Sequence, residues 1–445
     1  MSRLPTLASL AQALASGQIT STAMVTQALD RIADPAGEGA RTFTRVDRGA
    51  ALAAAAASDA LRVQGVVPSP LAGIPVSVKD LFDIQGQTTA AGSRLLRDAP
   101  SATADAAVVA RLRAAGAVIV GRTTMTEFAF SGLGLNPHTG TPGNPFDRER
   151  SPGGSSWGAA VSVADGMAAA AVGSDTGGSV RIPAAFCGLA GFKPTQARVP
   201  RDGAFPLSWT LDTVGPLGRS VACCALMDAV LAGQAPVVPD PVPVAGLRLA
   251  VPRCHALDGL DATVAAAFAR ALDRLSAAGV RIVEIGGAVF DRIPQANARI
   301  NFSTAEAYAL HRPWLTTRSG DYDPRVLVRL ERALLATAPD YVDLMRARQA
   351  LMAEADALTR PYDAVALPSV AIVAPRFDEL TDDADYARIN LLALRNTSLF
   401  NFLDRPAVSL PVASGGLPVG LMLAGPAGGD RALLSLAQAV ETVVC

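Results

Sequence analysis

The chain is predicted to fold as an α/β sandwich with a largely parallel or mixed central β-sheet. Three observations carry this expectation. Strand-like and helix-like patterns alternate, first over 74–120 and again over 247–285. Half of the 445 residues are apolar and 18% are charged, the balance of a globular chain long enough to bury a sizeable core. No internal repeat at a fixed period is present, which argues against a solenoid or propeller.

Taken in order, Leu7, Leu10 and Leu14 recur at helical spacing, and Ser16-Gly17 ends that segment. Val25, Leu29 and Ile32 mark a second short helix, and 50–62 is an alanine-rich third. After the break at Pro68 and Pro70, residues 74–78 read as a short strand with Lys79 at its end. Residues 105–115 read as a helix stopped by Gly116, and 117–120 as a buried strand. From 131 to 158, Gly, Pro, Asn and Ser dominate without periodicity, the mark of a long ordered loop or a site. Pro236, Pro239, Pro241 and Pro243 make a stiff link. Beyond it come a strand at 247–251, a helix with Val264, Phe268, Leu272 and Leu275 on one face, and a strand at 280–285. Residues 302–360 are helical and rich in arginine, as in a peripheral cap. Strands at 362–368, 407–412 and 419–423 and a helix at 431–444 close the chain. The expected organisation is a single domain: N-terminal helices (1–65), a core (66–235), the link (236–245) and a C-terminal part with the cap (246–445).

Net charge is −1, so no basic excess exists to hold nucleic acid or an anionic membrane surface. The opening Met1-Ser2-Arg3-Leu4-Pro5 lacks the form of a secretory signal, and no run resembles a membrane span. Five cysteines in mostly apolar contexts fit a reduced, cytoplasmic protein. The three histidines show no Cys/His or His/Glu spacing of a metal site, and no metal is expected. One number stands out. Lysine occurs only at Lys79 and Lys193, against 37 arginines, which marks both as places where arginine does not serve.

Two nucleophile motifs fail. Gly154-Ser155-Ser156-Trp157-Gly158 satisfies G-x-S-x-G, but the preceding residues 144–152 cannot be a central strand, and His255 and His311 are poorly placed as a base. S-x-x-K is absent, since Val76 and Ala190 stand three residues before the two lysines. The segment Gly173 to Pro183 is different, because a Gly-Gly pair leading to serine lets successive N–H groups converge on an anion or an oxyanion. A tight structural turn is the alternative for that segment read alone.

Together, Pro75-Val76-Ser77-Val78-Lys79-Asp80, Ser151-Pro152-Gly153-Gly154-Ser155-Ser156, Gly173–Pro183, Phe186-Cys187-Gly188 and Gly191-Phe192-Lys193-Pro194-Thr195 strongly resemble the amidase signature family. The resemblance extends over nearly the whole chain. It implies that family's α/β fold, a large mixed central β-sheet covered by helices on both faces, and a Ser-Ser-Lys triad: Ser179 as acylated nucleophile, Ser155 at a cis peptide bond as the bridge, and Lys79 as base. The N–H groups of Thr176, Gly177, Gly178 and Ser179 would form the oxyanion hole. A base must be able to lose its proton, which burial beside Ile74, Val76 and Val78 favours for lysine and which arginine cannot do.

Phe128, Phe130 and Ser131 fall where the family builds part of its acyl pocket, and Trp209 is expected to line the cleft. Where the family carries Gly or Ser two residues after Ser155, this chain carries Trp157, expected to narrow the site or stack on a flat substrate group. Asp175 and Arg181 are expected to shape the nucleophile loop, His138 to hydrogen-bond within its own loop, and Lys193 to cap carbonyls or pair with an acid. The implied activity is cofactor-free hydrolysis of linear C–N bonds in small amides, aryl amides or carbamates, through an acyl-enzyme. The alternative is the glutamine-hydrolysing component of a tRNA-dependent amidotransferase, although the chain is short for one. A catalytically silent binding protein is disfavoured by the intact Lys79, Ser155 and Ser179. Oligomeric state stays open, a homodimer included.

Overall fold

The computed structural model describes residues 4–445. Met1–Arg3, part of the stretch read as non-secretory, lie outside the described residues. Short apolar runs pair into one sheet of eleven strands among the described residues. In chain order these are β1 (Phe43–Arg45), β2 (Pro75–Lys79), β3 (Val118–Thr123), β4 (Ala170–Asp175), β5 (Ala190–Lys193) and β6 (Thr213–Gly218). Then come β7 (Arg248–Arg253), β8 (Arg281–Gly286), β9 (Ala364–Pro368), β10 (Ala407–Val412) and β11 (Val419–Ala424). Their spatial order is β1-β3-β2-β4-β6-β5-β10-β11-β9-β7-β8.

The sheet is mixed in a segregated way. On one side, β3, β2 and β4 run parallel; on the other, β9, β7 and β8 do. Between them β4, β6, β5, β10, β11 and β9 pair antiparallel. Every residue of β2 and β4 is buried, as parallel strands covered on both faces require. The edge strand β8 is largely exposed, and the opposite edge, β1, is three residues long. Apolar clusters lie on both faces, for instance Leu112, Val109 and Met227 in one and Val161, Val163 and Leu217 in another.

The N-terminal helices Leu7–Ala15, Ser21–Ala33 and Arg48–Val63 begin at side-chain caps from Thr6, Thr20 and Asp47. The link between Leu231 and Arg248 carries no helix or strand. Residues 302–359 form the expected helices, Phe302–Arg318, Pro324–Glu331 and Ala338–Thr359, the last opening with a Thr337/Asp340 capping box. Two buried acids tie them down. Glu306 accepts from Ser208 Oγ at 2.6 Å and from the Thr210 N–H at 3.1 Å, while Glu127 accepts from the Asp323 N–H at 2.7 Å. Among the elements that escape the sequence pattern, β1 is very short, β6 is interrupted by Gly215 and Pro216, and the helix Val221–Leu231 is apolar all round; β4, β5 and the helix Trp157–Ala164 go unread as well. No helix among the described residues is long and apolar enough to cross a membrane.

Candidate active site

Parallel pairing of β3, β2 and β4 brings their C-terminal ends side by side, the place where open α/β sheets build sites. Lys79 closes β2, and Ser174-Asp175 closes β4. The Lys79 side chain is 0% exposed, and its Nζ donates to Ser155 Oγ at 2.7 Å and Ser174 Oγ at 2.8 Å. Burial drives its pKa from an ordinary 10.5 down to about 7, against the opposing pull of the Asp175 and Asp212 carboxylates. This lysine is poised to hold or release a proton near neutral pH.

Ser155 reaches Lys79 from the long loop 131–156, and the Gly154–Ser155 peptide bond is cis. The next N–H, of Ser156, donates to the Ser179 carbonyl at 3.2 Å, placing the serine-rich loop against the loop that follows β4. Ser179 is 2% exposed, and its hydroxyl has no hydrogen-bond partner among the described residues. No hydrogen bond joins the Ser155 and Ser179 hydroxyls, so the two are not locked together. The N–H groups of Thr176, Gly177, Gly178 and Ser179 likewise donate to no acceptor among the described residues. Four uncommitted donors in succession can hold a developing oxyanion.

That loop is held open by chemistry at its ends. Gly178 has φ +136°, and a Cβ there would lie 2.1 Å from Thr397 Oγ1, so only glycine fits. Thr397 Oγ1 in turn donates to the Gly177 carbonyl at 2.6 Å. Asp175 and Arg181 form a fully buried two-pronged pair, with Nη2 to Oδ1 at 2.8 Å and Nε to Oδ2 at 3.0 Å. The same carboxylate accepts the Val180 N–H at 3.1 Å and the Asn401 amide at 2.9 Å. Burial pushes Asp175 up, but Arg181, Asn401 and Lys193 together more than offset this and hold the carboxyl at about 2. Arg181 and Asp175 therefore shape the loop and leave its N–H groups free.

A cavity of about 460 Å³ opens beside the cluster, lined by Ser174, Thr176, Asp212, Ala129, Phe205 and Trp209 among others. Thr176 Oγ1 donates to Asp212 Oδ1 at 2.6 Å, and burial raises the Asp212 carboxyl above the usual range. Trp209 lines this cavity and is 49% exposed. Phe128 is buried one layer back, its ring 5.3 Å from Phe205 and 4.4 Å from His311. Phe130 is half-buried and gives its carbonyl to Arg329. Ser131 spends its hydroxyl on Tyr386 at 2.6 Å and Asn390 at 2.9 Å. Phe128, Phe130 and Ser131 thus do not line this cavity.

Trp157 requires a correction. Its indole is 0% exposed and the N–H donates to Thr124 Oγ1 at 2.7 Å, so no face is left for a substrate. The reason is the helix Trp157–Ala164, which starts at this residue and packs into β3 and β4; at Gly158 a Cβ would lie 2.7 Å from the carbonyls of Thr42 and Thr124. Trp157→Ala is expected to cost about 3–5 kcal/mol of stability in chemical denaturation, while preference between aryl and alkyl amides stays unchanged.

Ser174, Asp212 and Thr397 are not singled out by the sequence. For Ser174 a signal exists, since it is a polar residue at the end of the apolar run Ala170–Val172, directly beside β2. Lys193 is fully buried, caps the Pro194 carbonyl at 2.8 Å, and is lowered by burial to about 8. His138 Nε2 lies 2.9 Å from Glu127 Oε1 within its loop region. One group among the described residues has the ligand types of a metal site: Cys254, His255 and Asp291, with His255 Nδ1 2.8 Å from Asp291 Oδ1. It sits at the end of β7, with the Lys79 cluster on β2 and β4 across the sheet.

Compared with known proteins, the sequence matches the Amidase family model over residues 23–434. The chain belongs to the amidase family. It is accordingly an enzyme of the family that hydrolyses amide carbon–nitrogen bonds. Among family members it is 37% identical over 405 positions to a 2-amino-5-chloromuconic acid deaminase of Comamonas testosteroni, covering 89% of this chain and 87% of that one. It is 34% identical to the A component of the glutamyl-tRNA(Gln) amidotransferase of Roseiflexus castenholzii, covering 98% and 95%. A crystal structure of an amidase superposes with a TM-score of 0.89 at 34% identity, over 99% of this chain and all of the other. The α/β fold expected from the sequence is the amidase fold.

Proposed function

We propose that this chain is a cytoplasmic amidase that hydrolyses linear C–N bonds of small molecules, aryl amides and carbamates included, through an acyl-enzyme on Ser179. The observation that carries the reading is Lys79, buried and lowered to about 7, with its Nζ 2.7 Å from Ser155 Oγ. In its neutral form the Lys79 amine accepts the Ser155 proton as Ser155 accepts that of Ser179. The Ser179 oxygen then attacks the carbonyl carbon, and the negative oxygen is received by the N–H groups of residues 176–179. Collapse breaks the C–N bond. The proton returns through Ser155 to the departing nitrogen, and water, activated by the same relay, releases the acid.

A second reading is favoured by one observation, the 34% identity to an amidotransferase component over almost the full length. In that role the same relay would release ammonia from glutamine for a partner. One experiment separates the two. Purified chain is assayed alone against p-nitroanilides, aliphatic amides, carbamates and glutamine, with size-exclusion chromatography alongside. Turnover of amides or carbamates well above that of glutamine is expected. Glutamine as the preferred substrate, or no turnover until a partner is added, would overturn the first reading in favour of the second.

A further inference from the structure

Asp80, the residue after Lys79, lines a second cavity of about 370 Å³. Successive side chains of an extended segment point to opposite faces, so Lys79 turns to Ser155 and Asp80 turns away from it, to Arg122. Three arginines line this cavity: Arg45 at the end of β1, Arg97 in the loop after β2, and Arg122 in β3. One carboxylate, Asp80, faces them there, and Glu127 lies behind His138 and Ser93 at the wall. In a chain whose net charge is −1, this is a local excess of positive charge.

The guanidinium of Arg122 is only partly used. Its Nε donates to Asp80 Oδ1 at 2.8 Å and its Nη2 to the Asp80 carbonyl at 3.2 Å. Its Nη1 has no hydrogen-bond partner, although the side chain is only 2% exposed. A buried charged donor left unpaired is costly, and a bound acceptor would remove that cost. Arg45 and Arg97 are exposed at the mouth and make no ion pair or side-chain hydrogen bond among the described residues. Ser93 and Thr139 also line the cavity, their hydroxyls donating to Glu127 Oε1 at 2.7 Å and to the Gly140 carbonyl at 3.2 Å, which leaves the arginines as its donors. The volume falls at the small end of small-molecule sites, and forked guanidinium donors match the paired oxygens of carboxylates and phosphates.

We propose that this cavity is a second binding site, distinct from the Lys79 cluster, for the oxyanion group of a small molecule, phosphate or carboxylate. The ligand's oxygens would sit between Arg45 and Arg97 and reach toward Arg122. The site does not depend on the amide-hydrolysing role of the neighbouring cluster, because none of its residues takes part in the proposed relay.

Isothermal titration calorimetry of the full chain with inorganic phosphate, and separately with malonate, at fixed ionic strength tests this. Saturable binding of at least one is expected, weakened at least tenfold by the Arg45→Glu/Arg97→Glu double variant and several-fold by Arg97→Gln. Arg346→Glu, at an exposed arginine of the helix Ala338–Thr359, should bind like the parent chain. Melting curves without ligand establish that the variants fold, as expected for exposed positions. Binding of phosphate alone assigns a phosphorylated ligand, and binding of malonate alone a carboxylate. No saturable binding of either anion, or equal affinity in the double variant, overturns the proposal.

Discussion

Lys79→Arg keeps the positive charge and should lose the enzyme. A guanidinium does not give up its proton in a protein, so the variant has no base for the Ser155–Ser179 relay. General-base catalysis of this kind contributes on the order of 10²–10⁴-fold, and kcat/KM is expected to fall by at least that much. The parent enzyme should show the matching pH dependence. Since the working form is the neutral amine, activity should plateau above neutrality, reach half-maximum near pH 7, and drop about tenfold per pH unit below it. Kinetics of both proteins from pH 5 to 9 check this. A Lys79→Arg variant retaining a tenth of parental activity, or a flat parental profile, rejects Lys79 as base.

Loss of activity through misfolding is separable by a stability measurement. In the unfolded chain Lys79 titrates near its ordinary 10.5, and in the folded chain near 7. Between those values the unfolded state holds more protons, so stability rises with pH across that window. The penalty of burying this lysine is absent above about 10.5, grows as pH falls, and is complete below about 7. Replacing it by Met should therefore leave the protein as stable as the parent or more so at neutral pH, though inactive.

Ser179→Ala should lower kcat/KM by at least about 10³–10⁴-fold, with the residue of activity coming from the N–H groups and substrate positioning alone. Mass spectrometry gives a sharper outcome than the rate. A slowly released acyl group from an activated ester or carbamate should add its mass to the parent chain at Ser179 and add nothing to the variant. An adduct that persists in Ser179→Ala, or that maps to Ser155, would reassign the nucleophile.

Much of this site is legible because its key residues sit in local sequence that means something physically. Lys79 stands out as a lysine at the end of an apolar strand in an arginine-rich chain. Ser179 follows a Gly-Gly pair, of which Gly178 has to be glycine because Thr397 leaves no room for a Cβ. What local sequence does not carry is the far partner. Thr397, Asn401 and Asn390 come from more than two hundred residues away and hold the nucleophile and 131–135 loops in place. Trp157 defeats a local reading for a related reason: which way a residue at a helix start points depends on Thr124, which the pairing of β3 with β2 and a hydrogen bond to Thr42 at the end of the short helix Gly39–Thr42 hold in place. β6 escapes because Gly215 and Pro216 read as breakers, yet it pairs antiparallel with β4 and β5 in the middle of the sheet.

Both lysines of this chain are 0% exposed, so the cationic side chains that meet solvent are arginines. The folded protein consequently shows no lysine ε-amine to acylating reagents, amine cross-linkers or an endoproteinase that cuts after lysine. Lys79 lies in β2 and Lys193 in β5, both interior strands of the sheet. Covalent capture of either amine therefore requires the centre of the sheet to open, and the speed of labelling becomes a clock for that opening.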